Sequence, residues 1–256
     1  MGLFWRKKKK VQVIGQSWEV YAYTYNEDQV AIISFDLELA QEETHKGYSQ
    51  CRRVLFFFDP SRIYENGMPV EEDLELHKQI EDDLTGLLTR KGIDCQFVGR
   101  MTYGGLREYV FQVEDSRGFD ALVPGWLKTV TAFRSEVRQK EGWDFFDEKV
   151  CPDRSGWQQI FDRRVVEGLI EAGSNPELPH DLEHCFVGPV DRLQNIAQKL
   201  GEHGFKQVSF EGDTLVLSYQ QVLDPVDISE LTSSLAEIAE GAGVSYDGWG
   251  AMVRTG

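Results

Sequence analysis

Apolar positions along this chain recur with two periods, one near two residues and one near 3.6, and the two periods alternate in a regular order. Residues 18–25, 30–39 and 53–58 form three apolar, β-rich runs. In the second run Val30, Ile32 and Ser34 alternate with Ala31, Ile33 and Phe35, so both faces of that strand are largely apolar. Residues 26–28 make a short turn between the first two runs, which reads as a hairpin. A turn-rich loop, DPSRIYENGMP (59–69), comes next. From about residue 71 to 90, Leu74, His77, Ile80, Leu84, Leu87 and Leu88 return at steps near three and four, which is one face of a helix. Glu71, Glu72 and Asp73 suit the positive end of its dipole, and Gly92 ends it. Two strands, about 94–102 and 107–114, hinge at Gly104-Gly105. Residues 119–133 predict a second, less regular helix, and residues 143–146 a closing strand.

CPDRSG (151–156) is turn-rich and marks a boundary. Beyond it, residues 157–173 predict a helix carrying Ile160, Val165, Leu169 and Ile170, broken by the prolines of 175–179. Residues 183–187 predict a strand. Residues 191–203 predict a helix with Leu193, Ile196, Ala197 and Leu200 on one side, stopped by Gly204. Strands follow at 205–210 and 214–220, joined by the turn EGD. A helix over 227–240 turns Ile228, Leu231, Leu235 and Ile238 inward, and VSYDGWGAMV (244–253) is the last strand.

The C-terminal part is therefore a helix followed by β-α-β-β-α-β. From residue 53 the N-terminal part has the same order behind its hairpin. With right-handed crossovers that order gives a ferredoxin-like sandwich, an antiparallel four-stranded sheet with its helices on one face. The expected fold is α+β: two ferredoxin-like α/β sandwiches, the first with an extra leading β-hairpin. The expected division is a basic tail at 1–12, an N-terminal domain at 13–154 and a C-terminal domain at 157–254.

Composition narrows the function. With 41% hydrophobic and 12% aromatic residues, 256 residues suffice for buried cores. Lys and Arg number 27 against 43 Asp and Glu, a net charge of −16. That charge repels phosphate backbones and argues against a general nucleic-acid binder, while it favours basic partners. Residues 157–256 hold six Lys/Arg against sixteen Asp/Glu. Such a module suits an Arg-rich protein segment, through an attraction that weakens as salt rises.

Cys51, Cys95, Cys151 and Cys185 form no CxxC pair, which reads as reduced thiols in the cytoplasm. The start, MGLFWRKKKK, has a basic run at Arg6–Lys10 with no apolar h-region after it, and Arg6 stands where the myristoylation pattern wants Ser or Thr. A solvated tail is expected there, with weak attachment to acidic lipid as the alternative. No apolar run approaches the roughly 18 residues of a spanning helix, so no membrane span is expected.

Candidate chemistry is sparse. In the last strand Tyr246, Asp247, Gly248, Trp249 and Gly250 crowd together. Strict alternation would put Tyr246 and Trp249 on opposite faces, whereas a bulge at Gly248 would bring both onto one. One reading is a packed aromatic pair that locks the strand. The other leaves one aromatic and Asp247 on the helix-free face as a docking surface.

HDLEH (180–184) matches the H-x-x-E-H metalloprotease pattern letter for letter. That chemistry needs both histidines on one helical turn. Here prolines precede the segment, and it reads as a loop entering a strand, where positions four apart lie roughly 13 Å apart. His77, on the apolar face of its helix, reads as a packed histidine. The cluster Glu71, Glu72, Asp73, Glu81, Asp82 and Asp83 reads as a solvated helix face. There is no nucleophile elbow, Walker loop or dinucleotide fingerprint. No catalytic residue, cofactor or metal is expected.

Several segments carry a resemblance. DRRVVEGLIEAGSNPELPHDLEHCFVG (162–188), VDRLQNIAQKLGEHGF (190–205), DPVDISELTSSLAEIAEGAG (224–243) and SYDGWG (245–250) resemble the regulators of RNase E activity, type B. The family's pattern has an EH pair opening the first strand, a helix running to Gly-Phe and a closing YDGW-type strand. Glu183-His184, Gly204-Phe205 and Tyr246–Trp249 match these in order. The resemblance implies a ferredoxin fold and a role in binding and inhibiting an endoribonuclease of the RNA degradosome. Trp18, NGMP (66–69), VGRMTYGGLREYVFQVED (98–115) and GWDFFDEKVCPDRSGWQQIFD (142–162) resemble a bacterial domain family of unknown function.

The expected protein is thus a non-enzymatic, protein-binding regulator, with Tyr246, Asp247, Trp249, Glu183 and His184 as candidate contact residues and a basic or Arg-rich segment of a ribonuclease as partner. The alternative, of a different class, is an enzyme or small-ligand sensor with a site between the two domains.

Overall fold

The computed structural model describes residues 17–25, 28–42 and 45–255. The basic tail expected at 1–12 and most of the turn expected at 26–28 lie outside the described residues. The chain divides into two compact units, Met1–Pro152 and Asp153–Gly256. Each unit is α+β, built on an antiparallel sheet.

Unit 1 runs β1 (Trp18–Tyr25), β2 (Gln29–Asp36), α1 (Leu37–Ala40), β3 (Gln50–Phe57), α2 (Glu71–Lys91), β4 (Cys95–Tyr103), β5 (Leu106–Val113), α3 (Ser116–Leu127) and β6 (Arg134–Glu141). Its six-stranded sheet has the order β1-β2-β4-β5-β3-β6, antiparallel at every step. Taken from β3, the unit is the β-α-β-β-α-β sandwich, and the hairpin β1–β2 adds to it along β4. Val54, Phe56, Tyr109 and Phe111 of the sheet pack on Ile80, Leu84 and Leu88 of α2 and on Phe119 and Val123 of α3. The helix α2 ends at Gly92, whose left-handed backbone (φ +66°) returns its N–H to the last turn.

Three expectations need correction here. The run expected as one strand at 30–39 breaks at Asp36, whose side chain accepts from the backbone N–H groups of Glu38 and Leu39 and starts α1. The helix expected at 119–133 is α3, which starts three residues earlier, where Asp115 accepts from the N–H of Arg117, and stops at Leu127.

The strand expected at 143–146 is not a strand. The closing strand is β6, and the chain then makes a single π-helical turn, Phe146–Val150. β6 reads RSEVRQKE, almost without apolar residues, because it lies at the sheet edge, where charged side chains discourage pairing with another chain. Phe146 and Val150 are buried instead by packing over β4. A Cβ on Gly99 would lie 2.5 Å from Val150 Cγ1, so this close approach requires glycine.

Unit 2 runs α4 (Arg154–Glu171), β7 (His180–Val187), α5 (Val190–Gly201), β8 (Lys206–Glu211), β9 (Thr214–Gln221), α6 (Pro225–Ala242) and β10 (Ser245–Ala251). The sheet order is β10-β7-β9-β8, the same arrangement as β6-β3-β5-β4 in unit 1. Leu182 and Phe186 of β7 and Leu215 and Leu217 of β9 point to one face. There Phe186, Leu215 and Leu217 meet Leu193, Ile196 and Leu200 of α5 and Leu235 and Ala239 of α6. Leu182 meets Val166 of α4 and Ile228 of α6. All three helices of the unit thus cover the same face, and the other face of the sheet carries no helix of this unit.

Candidate functional site

The arrangement around β10 and β7 follows from one irregularity. Tyr246 lies opposite Phe186 and Trp249 opposite His184, with a bulge between them. Gly248 supplies it with φ +96°, a backbone that glycine adopts without strain. The bulge restores Trp249 to the face of Tyr246, so both aromatics point toward the helices.

Tyr246 packs among the residues between β7 and α5–α6, and Trp249 among Val166, Leu182, Leu223 and Ile228. His184, fully buried on the same face, places Nδ1 2.9 Å from the Tyr246 hydroxyl. Burial lowers the His184 imidazole to about 4 and raises the Tyr246 hydroxyl well above its ordinary range, so both stay neutral.

Beneath this pair sits a carboxylate that sequence reasoning missed. Asp162 of α4 is 1% exposed. Its Oδ1 accepts from Trp249 Nε1 (2.8 Å) and Gln158 Nε2 (2.9 Å), and its Oδ2 accepts from Thr232 Oγ1 of α6 (2.6 Å). A carboxylate accepting three hydrogen bonds can remain inside. The signal that was available is an Asp four residues before the buried Val166, on the apolar side of its helix.

The other face holds the remaining candidates. Asp181, Glu183, Cys185 and Val187 alternate with the buried positions of β7, and Asp181 and Glu183 are exposed. Asp247 is exposed beside them. Burial raises the Cys185 thiol above its ordinary range, and the nearby Asp247 carboxylate adds to the shift. Across the sheet Glu183 faces Ser218, which faces Lys206; Cys185 faces Val216; and Val187 faces Thr214, which faces Glu211. The result is a shallow surface with half-buried Val187, Cys185 and Val216 at its centre and carboxylates concentrated along β7 and β10.

Of the five sequence candidates, Glu183 and Asp247 lie on this surface. Tyr246, Trp249 and His184 lie behind it and brace it. The reading with an aromatic on the helix-free face does not hold, because the bulge turns both rings inward.

HDLEH is strand from its first residue, not a loop entering one. His180 and His184 both point to the helix side and are buried, with Leu182 between them, and His180 Nδ1 donates to the Leu178 carbonyl (2.7 Å). Among the described residues no group of three or more His, Cys, Asp or Glu is placed to hold a metal ion. In unit 1, His77 is packed as expected: Tyr109 donates its hydroxyl proton to the His77 carbonyl (2.8 Å) and lies 3.0 Å from Nδ1.

Residues 159–251, which include nearly all of unit 2, match the family model described as Regulator of ribonuclease activity B. Residues 16–148 match that of a Family of unknown function, DUF695. The chain belongs to both families. Among proteins named Regulator of ribonuclease activity B, that of Xenorhabdus nematophila is 33% identical over 98 residues, 34% of this chain and 70% of the relative. That of Colwellia psychrerythraea is 31% identical over 101 residues, 34% of this chain and 83% of the relative. That of Pseudoalteromonas translucida is 32% identical over 109 residues, 37% of this chain and 93% of the relative. The matched stretch carries both the bulged strand and the helix-free surface of this regulator-family unit.

Proposed function

We propose that the protein is a non-enzymatic regulator that binds a protein partner through unit 2 and so modulates an endoribonuclease and RNA turnover. The observation that carries this reading is the helix-free face of a regulator-family unit, on which Asp181, Glu183 and Asp247 are exposed around an apolar centre. A shallow acidic face of this kind receives a basic, Arg-rich segment: guanidinium groups pair with carboxylates, and side-chain stems cover Val187 and Val216. Tyr246, Trp249 and His184 keep the surface in shape from behind. The same acidity works against direct contact with nucleic acid. Residues 13–154 and 157–254 are the working domain boundaries, and the four free cysteines suit a cytoplasmic setting. No helix among the described residues is long and apolar enough to cross a membrane.

The test is the triple variant Asp181→Asn, Glu183→Gln, Asp247→Asn. It is expected to keep the wild-type unfolding midpoint, to lose binding to an Arg-rich peptide and to lose any effect on RNA cleavage by the partner endoribonuclease. Wild-type binding should weaken steeply between low and physiological salt. Binding that is insensitive to both salt and the triple substitution would reject this face as the contact surface.

A further inference from the structure

We propose that unit 1 binds a small oxyanion, of the size of inorganic phosphate, between Arg100 and Arg107 on the α2 side of the β4–β5 hairpin. The strand register builds the site. Arg100 of β4 lies opposite Tyr109 of β5, and Thr102 lies opposite Arg107. Tyr109 packs against α2, and Arg100 bonds to Glu81 of α2, so all four side chains share the face that α2 covers. Arg100 and Arg107 stand on a diagonal of this square, where long side chains of adjacent strands reach one another.

Arg107 is the residue that points to a ligand. It is 8% exposed, its Nε is buried, and no hydrogen bond or ion pair to it occurs among the described residues. Other inward arginines of unit 1 have a carboxylate: Asp120 for Arg52 (2.8 Å), Glu108 for Arg53 (3.2 Å) and Glu81 for Arg100 (2.9 Å). The Arg107 guanidinium carbon lies 5.8 Å from the Tyr109 ring centre, a contact that occupies no N–H donor. Burial lowers the guanidinium from its ordinary value, and the nearby Arg100 charge lowers it further. An arginine stays protonated in a folded protein even so. A buried guanidinium without an acceptor is costly, so this arrangement takes an acceptor from solution.

Charge and donors fit an oxyanion. Arg100 and Arg107 carry two positive charges against the single carboxylate of Glu81, whose two oxygens both lie against Arg100 Nη1 (2.9 and 3.0 Å). The Arg107 fork then remains for an oxyanion, which it can hold through two parallel bonds, with the Thr102 hydroxyl beside it. Thr102 is 5% exposed, whereas the Arg100 side chain is 33% exposed, so the way in from solvent runs past Arg100. An anion on the diagonal also offsets the repulsion between the two guanidinium groups. Two charges so far from bulk water act on it with little screening, despite the acidity of the chain as a whole.

The experiment titrates inorganic phosphate into the full-length protein at constant ionic strength and follows backbone amide and arginine Nε–H signals. Saturable shifts are expected at residues 100–102 and 107–109. Chloride, which cannot accept two parallel bonds, should bind about tenfold more weakly. Phosphate should also raise the urea midpoint of unit 1. Arg107→Met keeps most of the side-chain bulk without the charge. It should hold the midpoint in phosphate-free buffer, lose the rise with phosphate and weaken phosphate binding about tenfold. Absence of saturable shifts, an equal response to chloride, or wild-type phosphate binding by Arg107→Met would each overturn the proposal. If Arg107→Met destabilises unit 1, the comparison of phosphate with chloride on the unaltered chain still decides.

Discussion

Removing the Asp162 carboxylate would strand the indole N–H of Trp249 in the interior and leave the Thr232 hydroxyl only its longer bond to the Ser229 carbonyl (3.2 Å). Asp162→Ala is therefore expected to destabilise unit 2 by about 2–4 kcal/mol, read from the urea midpoint. Trp249→Ala should cost about 3–5 kcal/mol, because it also empties the space among Val166, Leu182 and Ile228. The double variant should fall short of the sum, since the two residues share one bond.

The buried imidazoles give a second residue-scale expectation. Burial holds His184 near 4 and His77 near 3, below the ordinary 6.5. Below pH 6.5 the unfolded chain takes up protons that the folded chain refuses, so stability falls as pH drops from about 6.5 toward 4 in unit 2 and toward 3 in unit 1. Each effect is on the order of a few kcal/mol at its full extent. His184→Gln should flatten the acid slope of unit 2, measured by urea unfolding between pH 7.5 and 4.5. At this scale the sequence displayed the bulge, because Gly248 sits between two aromatics that alternation would separate. It did not display which face the rings take, since that depends on where the helices land.

Among the elements, long periodic segments were the legible ones. Leu74 through Leu88 marked α2 and Ile228 through Ile238 marked α6, because a helix against a core must repeat its apolar stripe. β6 was hidden for the opposite reason: an edge strand with one apolar residue has no period to read. The start of β7 was hidden by Pro176 and Pro179, which suggested a loop, although His180 already pairs with Gln221. The bulge itself is open to test. A Cβ on Gly248 meets nothing within 4 Å, so the cost of Gly248→Ala comes from the backbone alone, about 1–3 kcal/mol at φ +96°. Thermal unfolding of that variant should drop accordingly, with no sign of steric crowding among its neighbours.

For the whole molecule, the same strand order occurs in both units, and the core clusters described above each lie within one unit. A fragment comprising residues 153–256 is thus expected to unfold in one cooperative transition, checked by circular dichroism and fluorescence in urea. Charge was the most readable property at this scale, because a count of side chains needs no fold. The distribution of that charge was not readable: placing Asp181, Glu183 and Asp247 on one surface requires the strand register and the bulge.

The Trp249–Asp162 bond also equips unit 2 with an internal clock. An indole proton held by a buried carboxylate swaps for deuterium only when the packed layers part. The lifetime of that one resonance in heavy water would record how often the regulator-family unit opens, and its change when a partner is added would show whether docking on the far side of the sheet closes that opening.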